Sequence, residues 1–197
     1  MASNRPEMQC IVVIGSSASG PRILREIFTE MPKLNMSIVL VQHMPQFIEN
    51  MFVKSIGQLT PMIVKIAEDG DPLNHGSVYV APSGVHLQFD RNRFIRLVKG
   101  ESVNQVCPSV DVAMLSLVPQ PGVVFAGIVL SGMGNDGAQG MVHLKRLNGI
   151  TIVQDENTSA IFEMPRQTLL TGCVDHVLPP NEIRRRLIEL GRMRDVP

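Results

Sequence analysis

Between residues 10 and 28 the chain reads CIVVIGSSASGPRILREIF. An unbroken apolar run stops at Gly15, small residues follow, and apolar positions then return at Ile23, Leu24, Ile27, Phe28 and Met31. A run without polar alternation predicts a strand covered on both faces, and spacings of three and four predict an amphipathic helix. Pro21 suits the first turn of that helix, where its missing N–H would have had no partner. MSIVLVQ predicts a second buried strand, and Phe47, Ile48, Met51, Phe52 and Ile56 predict a helix over about 46–56.

The middle of the chain changes period. MIVKIA, SVYVAP, HLQFD and RFIRLV are short strand-like runs separated by Asp-Gly, Ser-Gly and Asn turns, a pattern that predicts antiparallel hairpins. Strand and helix then alternate again: a helix over about 109–117, the strand VVFAGIVLS, a helix over about 137–147, the strand ITIVQ, a helix from about 160 and a short VDHVL strand. A last helix, about 181–194, carries Arg184, Arg185, Arg186, Arg192 and Arg194, read as a solvated face that suits the helix dipole. The whole predicts one α/β domain over 1–197: a doubly wound, mostly parallel sheet with helices on both faces and a small antiparallel hairpin section in the middle.

Composition narrows the function classes. With 44% hydrophobic and 18% charged residues the chain is an ordinary globular one. A formal net charge of zero gives no electrostatic case for nucleic acid or an anionic membrane as partner. The apolar runs are too short to span a bilayer, which needs about twenty residues, and MASNRPEMQ lacks the core of a signal peptide. Cys10, Cys107 and Cys173 are odd in number and without metal spacing, so they read as reduced cytoplasmic thiols and no metal or cofactor is expected.

The small-residue loop after the first strand poses the chemical question: phosphate or nucleophile? Laid on Gly15, the dinucleotide fingerprint puts Ser17 where the second glycine must let the backbone approach a pyrophosphate. The acidic residue wanted at the end of the next strand is replaced by His43. No Lys-Ser/Thr pair follows for a P-loop. A serine in a tight strand-to-helix turn is instead the situation of a hydrolase nucleophile, although position 19 is serine where G-x-S-x-G has glycine. Ser16 and Ser19 compete with Ser17 for the role, and such loops also serve close packing alone.

Two other strands end in groups that complete this chemistry. QHMP puts His43 at the end of the second strand, and GMGNDG after VVFAGIVLS carries Asp136, which also suits a helix cap. In a parallel sheet such strand ends converge. A hydroxyl that must lose its proton, an imidazole that takes it and a carboxylate that orients the imidazole make a triad.

GSSASGP, VQHMP, AEDGDPL, VYVAPSG, PSVDV, LSGMGNDGAQGM and FEMPRQ, in this order over nearly the whole chain, resemble the bacterial chemotaxis receptor methylesterases, the CheB family. The resemblance implies a doubly wound α/β catalytic domain that hydrolyses glutamate γ-methyl esters on the cytoplasmic helices of methylated chemoreceptors, and receptor glutamine deamidation as a second activity. It implies Ser17 as nucleophile, His43 as base and then acid, Asp136 as its orienter, and backbone support for the oxyanion from Ala18 and Met133. Ser16, Ser19, Met44, Cys107 and Asn135 are candidates for the substrate face. The family loop is usually Gly-Ala-Ser-Thr-Gly-Gly, so Ala18 and Ser19 depart from it, and Cys107 stands where arginine is common. Family members usually carry an N-terminal receiver domain, which residues 1–9 cannot supply. The expectation is therefore an unswitched catalytic unit whose rate a phosphodonor leaves unchanged, with a separate regulatory protein as a further partner. The alternative is a non-catalytic receptor-binding signalling module that keeps the fold.

Overall fold

The computed structural model describes residues 9–192; Arg194 and the N-terminal stretch 1–8 lie outside the described residues. Among the described residues the first strand, β1 (Gln9–Ser16), runs up the middle of a seven-stranded sheet. The helix α1 (Gly20–Phe28) leads to β2 (Met36–Gln42), then a 3-10 turn Gln46–Ile48 and α2 (Glu49–Gly57). Next come β3 (Ile63–Ile66) and β4 (Ser77–Val80), the hairpin β5 (His86–Phe89) and β6 (Ile95–Val98), and α3 (Val110–Leu115). The chain closes through β7 (Val123–Val129), α4 (Ala138–Arg146), β8 (Ile150–Gln154), α5 (Glu163–Leu169), β9 (His176–Leu178) and α6 (Pro180–Arg192).

The strand order is β3-β4-β2-β1-β7-β8-β9, with every pairing parallel. From β1 the chain passes to β2, then to the edge strand β3 and back to β4 between them, before crossing to β7 and building outward on the other side. The order therefore reverses between β1 and β7, where the loops leaving the two strands diverge and open a crevice at their carboxyl ends.

Alternation along β1 supplies both cores. Val12 and Ile14 face Ile23, Ile27 and Phe28 of α1, Phe52 and Ile56 of α2, and Ile183 and Leu187 of α6. Ile11 and Val13 belong to the opposite layer with Val110 and Met114 of α3, Met141 and Leu144 of α4, Met164 of α5 and Leu87 of the hairpin. All of these are buried, so the central strands are apolar on both faces, as their unbroken runs require.

Three local expectations are corrected. Of the four middle strands only β5 and β6 pair antiparallel; β3 and β4 join the main sheet in parallel, Ile63 opposite Ser77 through Ile66 opposite Val80. The segment between them, read as a hairpin turn, is a crossover that returns the chain to the start of the sheet. Asp71 shapes it, accepting from the Glu68 N–H at 2.8 Å and from Lys65 Nζ at 2.9 Å. The second correction concerns the helix over 46–56. Its first residues form a 3-10 turn, whose tighter winding breaks the helical stripe. Phe47, in that turn, is 85% exposed, and Met51 of α2 faces outward at 66%, while Phe52 and Ile56 keep the buried face. The helix expected from about 160 starts at Glu163, because Asp155 holds the residues before it in turns through the Thr158 N–H.

Candidate active site

The β1 and β2 ends are tied together by one buried amide. Gln42 accepts from Ser16 Oγ at 2.6 Å and donates through Nε2 to the carbonyls of Ser17 at 2.8 Å and His43 at 2.9 Å. The Ser17 N–H reaches the Ser131 carbonyl at the end of β7, and the Gly20 N–H returns to the Ser17 carbonyl. Ser17 is thus fixed by its backbone, while its side chain stays half-buried and Ala18 is exposed. Ser16 is fully buried with its hydroxyl committed to Gln42, which removes it from the substrate-facing set. Ser19 is half-buried and shares a hydrogen bond with Ser131 Oγ, itself joined to Ile161.

Two glycines let these loops meet. A Cβ on Gly20 would lie 2.1 Å from Gln42 Oε1 and 2.6 Å from Ser16 Oγ. A Cβ on Gly132 would lie 2.6 Å from Ser17 Cβ and 2.4 Å from Met164 Sδ. Neither position has room for a side chain.

His43 Nε2 lies 2.9 Å from Asp136 Oδ2, with side-chain exposures of 11% and 3%. Asp136 also accepts from the Val110 N–H at 2.7 Å, Ser109 Oγ at 2.7 Å and the Asp111 N–H at 3.0 Å. These N–H groups are the otherwise unpaired donors at the start of α3, so Asp136 caps a helix from outside it. The favour is returned. Asp111, in the first turn of α3, accepts the Gly140 N–H at 2.7 Å and thereby caps α4, the helix that Asp136 precedes. Gly137, the N-cap of α4, has a φ of +99°, a conformation open chiefly to glycine.

The two caps titrate in opposite directions. Burial pushes Asp136 up, but the hydrogen bonds from His43, Asp111 N–H, Ser109 and Val110 N–H outweigh it and hold the carboxyl below its usual range. Burial dominates at Asp111 and, with the charge of Asp136 added, holds its carboxyl above the usual range despite the Gly140 N–H. Asp136 is therefore ionised at neutral pH. An ionised carboxylate only accepts, so Nε2–H of His43 is the donor of this hydrogen bond.

The network joins His43 to Asp136 and, among the described residues, does not extend to the Ser17 hydroxyl, which stands on the neighbouring loop. Met133 and Asn135 are exposed on the glycine-rich turn after β7, where Gly134 has a φ of +93°. Met44 is half-buried against the α1–α2 layer, and Cys107 is half-buried two residues before Ser109, with desolvation holding its thiol protonated. Gln42, Ser109, Asp111 and Asn104 were not singled out from sequence. Ser109 and Asp111 lie in the quoted PSVDV and Gln42 in VQHMP, but nothing local shows that a helix start would receive a carboxylate from twenty-five residues on.

Comparisons with known proteins place the chain as a whole. A family model described as CheB methylesterase matches residues 12–187. A protein-glutamate methylesterase/protein-glutamine glutaminase of Pyrococcus horikoshii is 39% identical over 182 residues, 90% of this chain and 50% of that protein. One of the same name from Pectobacterium atrosepticum is 34% identical over 181 residues, 90% of this chain and 52% of its own. The chain spans about half the length of the curated relatives it matches. The crystal structure of the Thermotoga maritima CheB methylesterase catalytic domain superposes with a TM-score of 0.85 at 35% identity, covering 91% of this chain and 97% of that one. No helix among the described residues is long and apolar enough to cross a membrane.

Proposed function

Because the chain belongs to the CheB methylesterase family, we propose that it is a serine hydrolase of protein-bound glutamyl methyl esters, with chemoreceptor cytoplasmic helices as substrate. Ser17 is the nucleophile, His43 the base and then the acid, and Asp136 the orienter. The observation that carries the reading is the His43–Asp136 hydrogen bond at the crevice between β1 and β7, one loop from Ser17.

The chemistry follows from the groups present. As Ser17 Oγ attacks the γ-carbonyl carbon, its proton passes to His43 Nδ1. The carbonyl oxygen becomes an oxyanion, which the backbone N–H groups of Ala18 and Met133 receive at the N-terminal end of α1. Asp136 stabilises the imidazolium through Nε2–H. Collapse of the tetrahedral intermediate expels methoxide, which takes the proton from Nδ1 and leaves as methanol. A water then gives its proton to His43 and attacks the acyl-enzyme, and Ser17 is regenerated as the glutamate is released. With glutamine as substrate the same sequence expels ammonia, a poorer leaving group.

The test is methanol release from a methylated receptor fraction. Ser17→Ala is expected to lower kcat by about 10³–10⁶ without lowering the melting temperature. Ser16→Ala should cost stability first, because it unpairs Gln42 Oε1 inside the core. Near-normal turnover by Ser17→Ala would falsify the assignment.

A further inference from the structure

Opposite His43, the Asp136–Asp111 pair is closed by a short hairpin. Val103 and Val106 exchange backbone hydrogen bonds at 3.1 Å each, and the two residues between them both lie in the left-handed region, Asn104 at φ +53° and Gln105 at +65°. Asparagine is tolerated there, but glycine is the usual second residue of such a turn and Gln105 is not. The turn aims one group inward. Asn104 Nδ2 donates to Asp111 Oδ2 at 2.8 Å and lies 3.4 Å from Asp136 Oδ1, while the rest of the residue is exposed.

The amide therefore spans the two carboxylates whose charges repel, reaching Asp111 through Oδ2 and Asp136 through Oδ1. Both are buried, and each already receives the N–H groups of one helix start. What those starts do not supply is a donor common to the pair. We propose that Asn104 is a positioning residue for the hydrolysis: its amide ties Asp111 to Asp136 and keeps the Asp136 carboxylate turned toward His43 Nε2. This rests on the triad reading above. The other titratable groups around the pair are His86, whose Nδ1 accepts the Ser109 N–H, and Cys107, whose thiol is protonated.

Two substitutions keep the turn and change the amide. Asn104→Gly allows the left-handed backbone and removes the donor; Asn104→Asp keeps the shape and replaces the donor with a third carboxylate. His43 is followed by side-chain NMR titration, with His43→Ala assigning its signal, alongside kcat, KM and melting temperature. Asn104→Asp is expected to move the His43 titration midpoint upward by about half to one pH unit, because added negative charge favours the imidazolium. Asn104→Gly is expected to lower kcat by roughly tenfold with KM within about twofold, the pattern of a lost transition-state interaction. A hairpin that merely anchors a loop would lower the melting temperature in both variants and leave the kcat of Asn104→Gly unmoved, and that result overturns the proposal. The two readings fail separately. An unmoved His43 midpoint with Ser17-dependent methanol release sinks the role of Asn104 alone. A shifted midpoint in a chain that releases no methanol supports the coupling and sinks the substrate.

Discussion

The loop that carries Ser17 and the loop that carries Asp136 reach the same edge of the sheet, but they are held there by different means. Around Ser17 the fixing groups are neutral: the Gln42 amide, the Ser16 hydroxyl and backbone carbonyls of adjacent strands. Around Asp136 they are a pair of buried carboxylates set against the starts of two helices, with Asn104 across them. The first arrangement binds no proton in the working range, so it holds the nucleophile in place at any pH the fold survives. The second holds charge, and charge is what an imidazole needs beside it to become a cation. Rigidity is supplied on one side and electrostatics on the other.

The comparison is broken most severely by removing the groups that pass between the two sides. His43→Ala deletes the proton acceptor, and Asp136→Asn deletes only the charge that orients it. Losses in kcat of about 10⁶ and 10⁴ respectively are expected, in that order. Steady-state methanol release on both variants checks this, and an Asp136→Asn loss equal to that of His43→Ala would mean the carboxylate does more than orient.

A smaller effect separates placement from chemistry. Gly132→Ala changes no reacting group, yet its Cβ would fall 2.6 Å from Ser17 Cβ and must push the nucleophile loop from the β7 end. Displacements of about 1 Å cost on the order of 10²-fold in rate. The expectation is that loss in kcat, with His43 titrating as in the parent chain. A shifted His43 midpoint would show that the neutral and charged sides are not independent.

How much of this was legible in the sequence follows the same division. The Ser17 side is local: unbroken apolar runs give β1 and β2, small residues give the turn, and His43 follows its strand directly, so position along the chain is position in the site. The two-faced core of the central strands follows from the same runs, but the strand order does not. The β3–β4 crossover was misread because Asp-Gly and Asp-Pro mark a turn without saying which way the chain emerges from it. Phe47 was misread because a 3-10 turn and an α-helix share apolar spacing over a few residues. On the Asp136 side, the carboxylate itself stood in a readable motif, but its partners did not. Reciprocal capping joins Asp111 to Gly140 and Asp136 to Val110, contacts set by how α3 and α4 pack, and no periodicity carries that information.

The finest test of the comparison uses stability rather than rate. Asp136 has a folded pKa below its ordinary value of about 3.8, so it contributes stability above the unfolded value and loses it as pH falls through the folded one. Asp111 has a folded pKa above about 3.8, so its ionised form costs stability at neutral pH, and that cost is relieved as pH falls through the raised value. Part of the rise at Asp111 is the charge of Asp136 itself, so each is best read with the other removed or fixed. Denaturant unfolding as a function of pH should therefore give the parent chain a growing advantage over Asp111→Asn as pH falls from neutrality toward 4. The advantage of Asp111→Asn over the double variant Asp111→Asn/Asp136→Asn should stay level over that range and shrink only below it. The differences are on the order of 1 kcal/mol, within reach of midpoint measurements at fixed m. Two difference curves of the same slope would mean that the caps are equivalent and that Asp136 is held no differently from any buried helix cap. A first difference that grows toward pH 4 beside a second that stays level and shrinks only below it would mean that one member of the pair is kept charged for His43 while its neighbour bears the cost of burial.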